Sequence, residues 1–304
     1  MTTHSLAECR MLDGTIIKGW FYATEKPAPA IIMSHGFNCV KEMTLPEVAE
    51  TFHSSGFNVF LYDARSVGEV MENHAICLIR CVLPRTCPVS SDIFTYVADP
   101  STVDSRNIAL WGMSFGAAVS ACSAAVDRRP KAVVMVCPLF TYVQPHLADK
   151  AFALLIKDRI SQLRGNEPYS LAPFTPRGDN PIGMGGAGGP GGVESYNLMT
   201  RASQLDHPDF RDQISLQTYQ KLAMWRPMAY LDMMKAPVMM VIPEFDNISS
   251  PSEQQEAFDM IKSSKKLHWA KGSGHLSILT GEGSSEMILD TVRWLQEAFG
   301  VETS

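Results

Sequence analysis

The sequence predicts an α/β protein, a mostly parallel sheet with helices on both faces, interrupted by one long insertion. Three observations carry this. Short, continuous apolar runs alternate with helical patterns, as expected of strands buried on both faces. The stretch 139–235 does not follow that alternation and is too long for a structureless loop in a compact domain. The composition is that of an ordinary globular protein: 304 residues, 45% hydrophobic and 19% charged, long enough to bury a sizeable core. The expected division is therefore a core of residues 1–138 and 236–304, with 139–235 inserted as a cap, or lid.

Glu8 to Leu12 and Thr15 to Thr24 read as a strand pair joined at Asp13-Gly14, a tight-turn dipeptide. After Pro-Ala-Pro, Ala30 to Ser34 reads as a buried strand ending at His35-Gly36. Thr44 to Ser55 has helical spacing, with Thr44 as N-cap, Pro46 in the first turn and Gly56 as the stop. Asn58 to Tyr62 and Asn107 to Trp111 are further strands, and the second runs directly into a helix of small residues, Ala117 to Val126. Lys131 to Val136, Pro237 to Ile242 and Lys266 to Ala270 complete the strands, and Glu286 to Phe299 is the last helix. Within the insertion, Ala148 to Arg164 and Leu216 to Ala223 have helical patterns. Glu69 to Ser91, with three cysteines and two prolines, shows no helical period where a helix belongs. Seven of the 21 glycines fall between Gly183 and Gly192. They lack the strand-to-helix setting of a phosphate loop and predict a mobile cap segment.

Charge and cysteine usage narrow the function classes. The formal net charge is −6 and no basic stripe is present, which speaks against nucleic acid as a partner. The seven cysteines form no zinc-finger quartet, the group Cys77, Cys81 and Cys87 included. No metal and no cofactor is expected. No secretory signal precedes the first strand, the C-terminal Val-Glu-Thr-Ser matches no lipidation signal, and no apolar run reaches the about 18 residues of a spanning helix. The expected address is cytoplasmic.

The chemistry is concentrated in three places. Gly112-Met113-Ser114-Phe115-Gly116 is a G-x-S-x-G between an apolar strand and a helix, a turn that lifts the serine hydroxyl above the sheet. A serine needs a base, and the base needs an orienting acid. Following the chain order Ser…acid…His, the loop after Pro237 to Ile242 offers Glu244 and Asp246, of which Asp246 is preferred. His275, in Lys-Gly-Ser-Gly-His, is the base; the other seven histidines read as surface or packing residues. An oxyanion would be held by the backbone N–H groups of Phe115 and, in the loop after the first core strand, Phe37. His35 reads as a loop-holding residue. Phe140, Tyr142, Tyr196, Met224, Trp225 and Met228 of the insertion are candidates for an apolar substrate pocket.

His35-Gly36-Phe37, Tyr62-Asp63-Ala64-Arg65-Ser66-Val67-Gly68, the serine elbow, Pro243-Glu244-Phe245-Asp246 and Lys271-Gly272-Ser273-Gly274-His275 together resemble an α/β-hydrolase. More narrowly they are similar to the fungal polyketide transferase/thiohydrolase family. The resemblance implies the triad Ser114, Asp246 and His275. It also implies transfer of a polyketide acyl chain from the carrier domain of a polyketide synthase to water or to an alcohol. A general carboxylester or lactone hydrolase with the same triad is a second reading, and a binding or non-hydrolytic role a third. Glu69 to Ser91 departs from the family pattern, in which a glycine-containing loop and a full helix are expected.

Overall fold

Every apolar run named above becomes a strand, and the central ones, Asn58–Tyr62, Ala132–Val136 and Val238–Pro243, bury both of their faces. The computed structural model describes residues 4–65, 67–68, 86–186, 188–204, 210 and 212–301. In chain order these form β1 (Ser5–Arg10), β2 (Ile16–Tyr22), β3 (Ala28–Ser34), α1 (Pro46–Ser54), β4 (Asn58–Tyr62), α2 (Thr86–Val97), β5 (Val103–Met113), α3 (Phe115–Val126) and β6 (Ala132–Val136). The insertion follows with α4 (Ala148–Leu163), β7 (Ser170–Leu171), α5 (Pro190–Gln204), β8 (Ile214–Ser215) and α6 (Leu216–Met224). The chain then returns to β9 (Val238–Pro243), α7 (Pro251–Met260), β10 (Lys265–Ala270), α8 (Ser277–Thr280) and α9 (Ser284–Phe299).

Eight strands make one sheet in the order β1-β2-β4-β3-β5-β6-β9-β10. Only the pairs β1/β2 and β2/β4 are antiparallel. Alternate side chains leave the sheet in opposite directions. Ile32, Leu110, Val133 and Met240 pack on one side with α2, α3 and the cap, while Ile31, Trp111, Val134 and Val241 pack on the other with α1 and α9. The chain passes from β3 outward to β4, then crosses back to β5 on the other side of β3. That reversal is the crevice where open α/β sheets bind ligands, outside the strands' carboxyl ends. Both the serine elbow after β5 and the loop after β3 open into it.

Several details differ from expectation. Thr44 does not cap α1; it has φ +64°, Leu45 is the N-cap and Pro46 fills the first turn. Helix α2 begins at Thr86, so the end of the stretch expected to lack helix is helical, whereas 69–85, with Cys77 and Cys81, lies outside the described residues. Helices α5 and α7 were not among the expected elements; α7 is fixed by a capping box between Ser250 and Glu253. Before β9, the short 3-10 helix Pro227–Met233 returns to the core, where Arg128 donates to the Met233 carbonyl at 2.6 Å.

Within 183–192, the segment expected to be mobile, most of the described glycines pack against the core. Gly183, Gly185, Gly186, Gly188, Gly191 and Gly192 are buried. A Cβ on Gly186 would lie 2.7 Å from Ile248, and one on Gly191 would lie 3.5 Å from the Cβ of His275. The cap backbone therefore lies directly on the loop and turn that carry Asp246 and His275, and at Gly186 the approach is one only glycine permits. Among the described residues no helix is long and apolar enough to cross a membrane.

A glycine in the core is under an equally strict limit. A Cβ on Gly116 would overlap the Ser34 carbonyl oxygen, where α3 crosses the end of β3. Gly116→Ala is expected to cost about 3 kcal/mol of unfolding free energy, read from urea denaturation. A loss below about 1 kcal/mol would show that the helix can shift freely there.

Candidate active site

Strand β5 ends at Met113 and α3 begins at Phe115, leaving one residue, Ser114, to turn the chain. It does so at φ 55° and ψ −116°, a strained conformation for a residue with a side chain. Gly112 and Gly116 make it possible, since a Cβ on Gly112 would overlap the Gly116 backbone. The Ser114 N–H donates to the Val136 carbonyl at 2.9 Å, and its carbonyl accepts from Leu139 at 3.2 Å, so β6 pins the elbow from the side.

The Ser114 hydroxyl lies 3.0 Å from His275 Nε2. On the other edge of the ring, Nδ1 lies 2.8 and 3.0 Å from the two carboxylate oxygens of Asp246. All three side chains are buried. Asp246 is itself held from three directions. Its Oδ1 accepts the N–H groups of Ile248 and Ser249 at 2.9 and 3.0 Å, and Oδ2 accepts Gln254 Nε2 at 2.9 Å. Acceptor-only chemistry fixes the ring: a carboxylate beside Nδ1 keeps the proton there and leaves Nε2 free to take one from the serine. Burial by itself favours the neutral imidazole, but the Asp246 charge outweighs it and raises the His275 pKa above its ordinary value.

The backbone N–H groups of Phe37 and Phe115 make no hydrogen bond among the described residues. Phe115 begins α3, where the first N–H groups have no partner in the helix, and the rings of Phe37 and Phe115 lie 5.8 Å apart. Beside them opens a pocket of about 550 Å³, counting its mouth, that reaches both Ser114 and His275. Its walls are apolar, with Met43, Leu139, Phe174, Leu198, Met199 and Ile248 prominent, and among the described residues they include no Asp, Glu, Lys or Arg.

Residues 25–280 match the family described as Serine aminopeptidase, S33. The chain belongs to this family of α/β-hydrolases. It is also 39% identical to a thiohydrolase of Eupenicillium brefeldianum, over 90% of this chain and 88% of that protein. It is 32% identical to the polyketide transferase claH of Penicillium crustosum over the full length of both. Among solved structures, that of DcsB in complex with its substrate analogue superposes with a TM-score of 0.88 at 49% identity, covering 97% of this chain and 99% of the other.

In this hydrolase the two competing carboxylates have separate places. Glu244 faces the Gly272 N–H, which donates to it at 2.9 Å, and so ties the acid loop to the turn before His275 without touching the ring. The residues expected at the substrate pocket are not among its lining residues. Tyr142 and Trp225 stack on each other at 5.4 Å, and both pack edge-on against Phe115. The Tyr142 hydroxyl is used by the Leu139 carbonyl. Tyr196 and Met228 pack against the core, Phe140 is buried, and Met224 points to solvent. Tyr142 and Trp225 thus form a wall behind Phe115. Phe174, Leu198 and Met199 line the pocket instead, from the stretch where the sequence showed only Pro, Gly and an unrecognised helix.

Two further buried residues stand behind the triad: Gln254, which was missed, and Cys137, whose run Ala-Val-Val-Met-Val-Cys suits a buried, reduced thiol. Gln254, fully buried on α7, bridges Asp246 and the Ser249 carbonyl. The pattern Ser250-Pro-Ser-Glu253 directly after the acid loop announced the helix that carries it. Cys137 has φ 39°, and its thiol lies 3.5 Å from the His275 carbonyl. Burial raises its pKa, so it stands as a neutral thiol behind the ring. Of the remaining histidines, His268 pairs with Asp290 at 2.9 Å, His35 holds its loop as described below, and His74 and His207 lie outside the described residues.

Proposed function

We propose that this hydrolase takes a polyketide acyl chain from the thioester of a carrier protein and passes it, through an ester on Ser114, to water or an alcohol. The observation that carries the reading is the unbroken chain Asp246–His275–Ser114 opening into an uncharged, apolar pocket. His275 Nε2 takes the Ser114 proton as Oγ adds to the thioester carbonyl. The oxyanion forms against the N–H groups of Phe37 and Phe115, which are worth roughly 3–4 kcal/mol each in comparable sites. Collapse breaks the C–S bond, and the proton on Nε2 goes to the departing thiolate. The acceptor hydroxyl then repeats the sequence: it gives its proton to Nε2, attacks the acyl ester, and the proton returns to Ser114 Oγ.

An aminopeptidase must hold a substrate ammonium group, and the uncharged lining offers no counter-ion for one. An acyl chain suits that lining, and the relatives named thiohydrolase and polyketide transferase support the same reading. No disulfide joins the described cysteines Cys9, Cys39, Cys122 and Cys137, which supports a reducing, cytoplasmic setting.

Mass spectrometry after mixing with a medium-chain acyl-N-acetylcysteamine thioester tests the proposal. A covalent acyl adduct on wild type, absent in Ser114→Ala, is the expected result. Turnover of simple esters with no preference for the thioester would instead mark a general ester hydrolase. The pocket makes a further demand. Met199→Trp, which fills the chain's path, is expected to lower kcat/KM for a long acyl thioester roughly tenfold or more. The acetyl thioester should stay within about threefold, and an equal loss for both would place the chain elsewhere.

A further inference from the structure

Lys41 is a buried cation outside the triad, with its side chain 1% exposed. Asp63, fully buried after β4, takes both of its donors: Lys41 Nζ reaches Oδ2 at 2.8 Å and the Lys41 backbone N–H reaches Oδ1 at 2.8 Å. Glu42 lies 2.6 Å from the same ammonium, and the Trp20 ring lies 5.3 Å from it. A Cβ on Gly68 would overlap the Asp63 carboxylate, so the chain closes over the pair. A buried ion pair is a poor way to gain stability, since well-packed apolar residues do as well or better. Its use here is better sought in what it holds.

It holds the loop between β3 and α1. That loop carries the Phe37 N–H and lends Cys39, Met43 and Thr44 to the pocket wall. Two of its residues have left-handed backbone, Asn38 at φ 53° and Thr44 at φ 64°. Such conformations persist only where the surroundings fix them. Two of the attachments that fix the loop lead to the turn after β4. At its start, His35 donates from Nδ1 to the Gly36 carbonyl at 2.8 Å and accepts the Ala64 N–H on Nε2 at 3.0 Å. Those bonds define a neutral ring, and burial holds its pKa below the ordinary value. In its middle stands the Lys41–Asp63 pair.

We propose that Lys41 and Asp63 are positioning residues: together they hold the strained loop so that the Phe37 N–H points at the developing oxyanion. This rests on the reading of Phe37 as an oxyanion donor, but not on the identity of the acyl group. The test is the double variant Lys41→Met with Asp63→Ala, which removes the clamp without leaving a lone buried charge. Three quantities are measured on protein whose circular dichroism matches wild type: kcat/KM for a p-nitrophenyl ester, the Ki of an alkyl boronic acid, and the Kd of an alkyl thioether lacking the carbonyl. The boronate, bonded to Ser114, places an oxygen where the oxyanion forms, and the thioether fills the pocket only.

Loss of one oxyanion donor typically costs 10²–10³-fold, so displacement of one is expected to cost about 30-fold or more. kcat/KM and boronate affinity should fall by the same factor, with the thioether within about threefold. Unchanged boronate affinity, or thioether and boronate falling together, overturns the proposal. Should the double variant fail to fold, Asp63→Asn keeps an acceptor for the Lys41 N–H but loses the charge. It is expected to weaken the boronate about fivefold, and no change there overturns the proposal as well. Wild type that cleaves the ester and binds boronate but forms no adduct from the thioester would refute the proposed function while leaving this inference standing.

Discussion

Ser114→Ala is expected to lower turnover by about 10⁴- to 10⁶-fold and to leave no acyl adduct at any incubation time. The range follows from how the site works. The Ser114 hydroxyl is the oxygen placed 3.0 Å from His275 Nε2, and removing a nucleophile that acts as one unit with its base loses most of what the whole triad supplies. What remains over water comes from the oxyanion donors and pocket, which the substitution leaves in place. The fold should survive. Ser114 is held by backbone bonds to Val136 and Leu139, which alanine keeps, and both residues pay a similar cost for φ 55°. Single-turnover mass spectrometry and thermal melting read the two halves of the expectation. A variant that keeps its melting temperature and more than about a hundredth of wild-type turnover would mean that another group attacks the acyl carbon.

Asp246→Asn is the second large effect, expected at about 10³- to 10⁴-fold in kcat. The amide fits the same space, but one of its two positions is now an N–H donor. The Ile248 and Ser249 N–H groups both donate to Oδ1, so they hold the amide oxygen there and leave the nitrogen at the Oδ2 position, which lies 2.8 Å from the ring. An amide nitrogen facing the ring would need Nδ1 as an acceptor. The ring proton would then move to Nε2, where it blocks removal of the Ser114 proton.

The pH profile gives an independent reading with a definite sign. The base must be neutral to work, so wild-type kcat/KM rises as pH climbs through the His275 pKa. The Asp246 charge holds that pKa above the ordinary 6.5, and the rising limb should lie on the alkaline side of that value. In Asp246→Asn the charge is gone and burial remains, which disfavours imidazolium. The limb should therefore move to lower pH even as the plateau falls. Glu244→Gln serves as the contrast, because Glu244 bonds the Gly272 N–H and not the ring; kcat should change less than about threefold. A large loss in Glu244→Gln with a small one in Asp246→Asn would reverse the assignment of the acid.

Both substitutions concern residues that local sequence identified, and the reason is physical. A strand buried on both faces must be apolar along its length, so Asn58–Tyr62 was readable with its ends. A serine between glycines, entered from a strand and left by a helix, has almost no other backbone path. Asp246 and His275 followed because each sits in a short loop at the end of such a strand. The helices were harder where tertiary contacts and not local preference make them. Helix α5 opens Pro190-Gly-Gly: the proline suits a first turn, but the glycines run against helix propensity, and they serve packing instead, Gly191 on Ile248 and His275 and Gly192 on the Gly178 backbone.

What the sequence determined by itself, then, was the sheet, the elbow and the order of the triad, all set by neighbours along the chain. The tertiary structure decided which apolar side chains face the acyl pocket and which form the wall behind it. Tyr142 and Trp225 are as apolar as Leu198 and Met199, and only the way the cap folds back onto α3 sets them apart. It also decided the fate of charge. Nothing beside Lys41 in the sequence marks it as buried; Asp63, just past β4, is brought 2.8 Å away only by the fold. Burial and pairing belong to contacts between segments distant in sequence, and no local pattern encodes them.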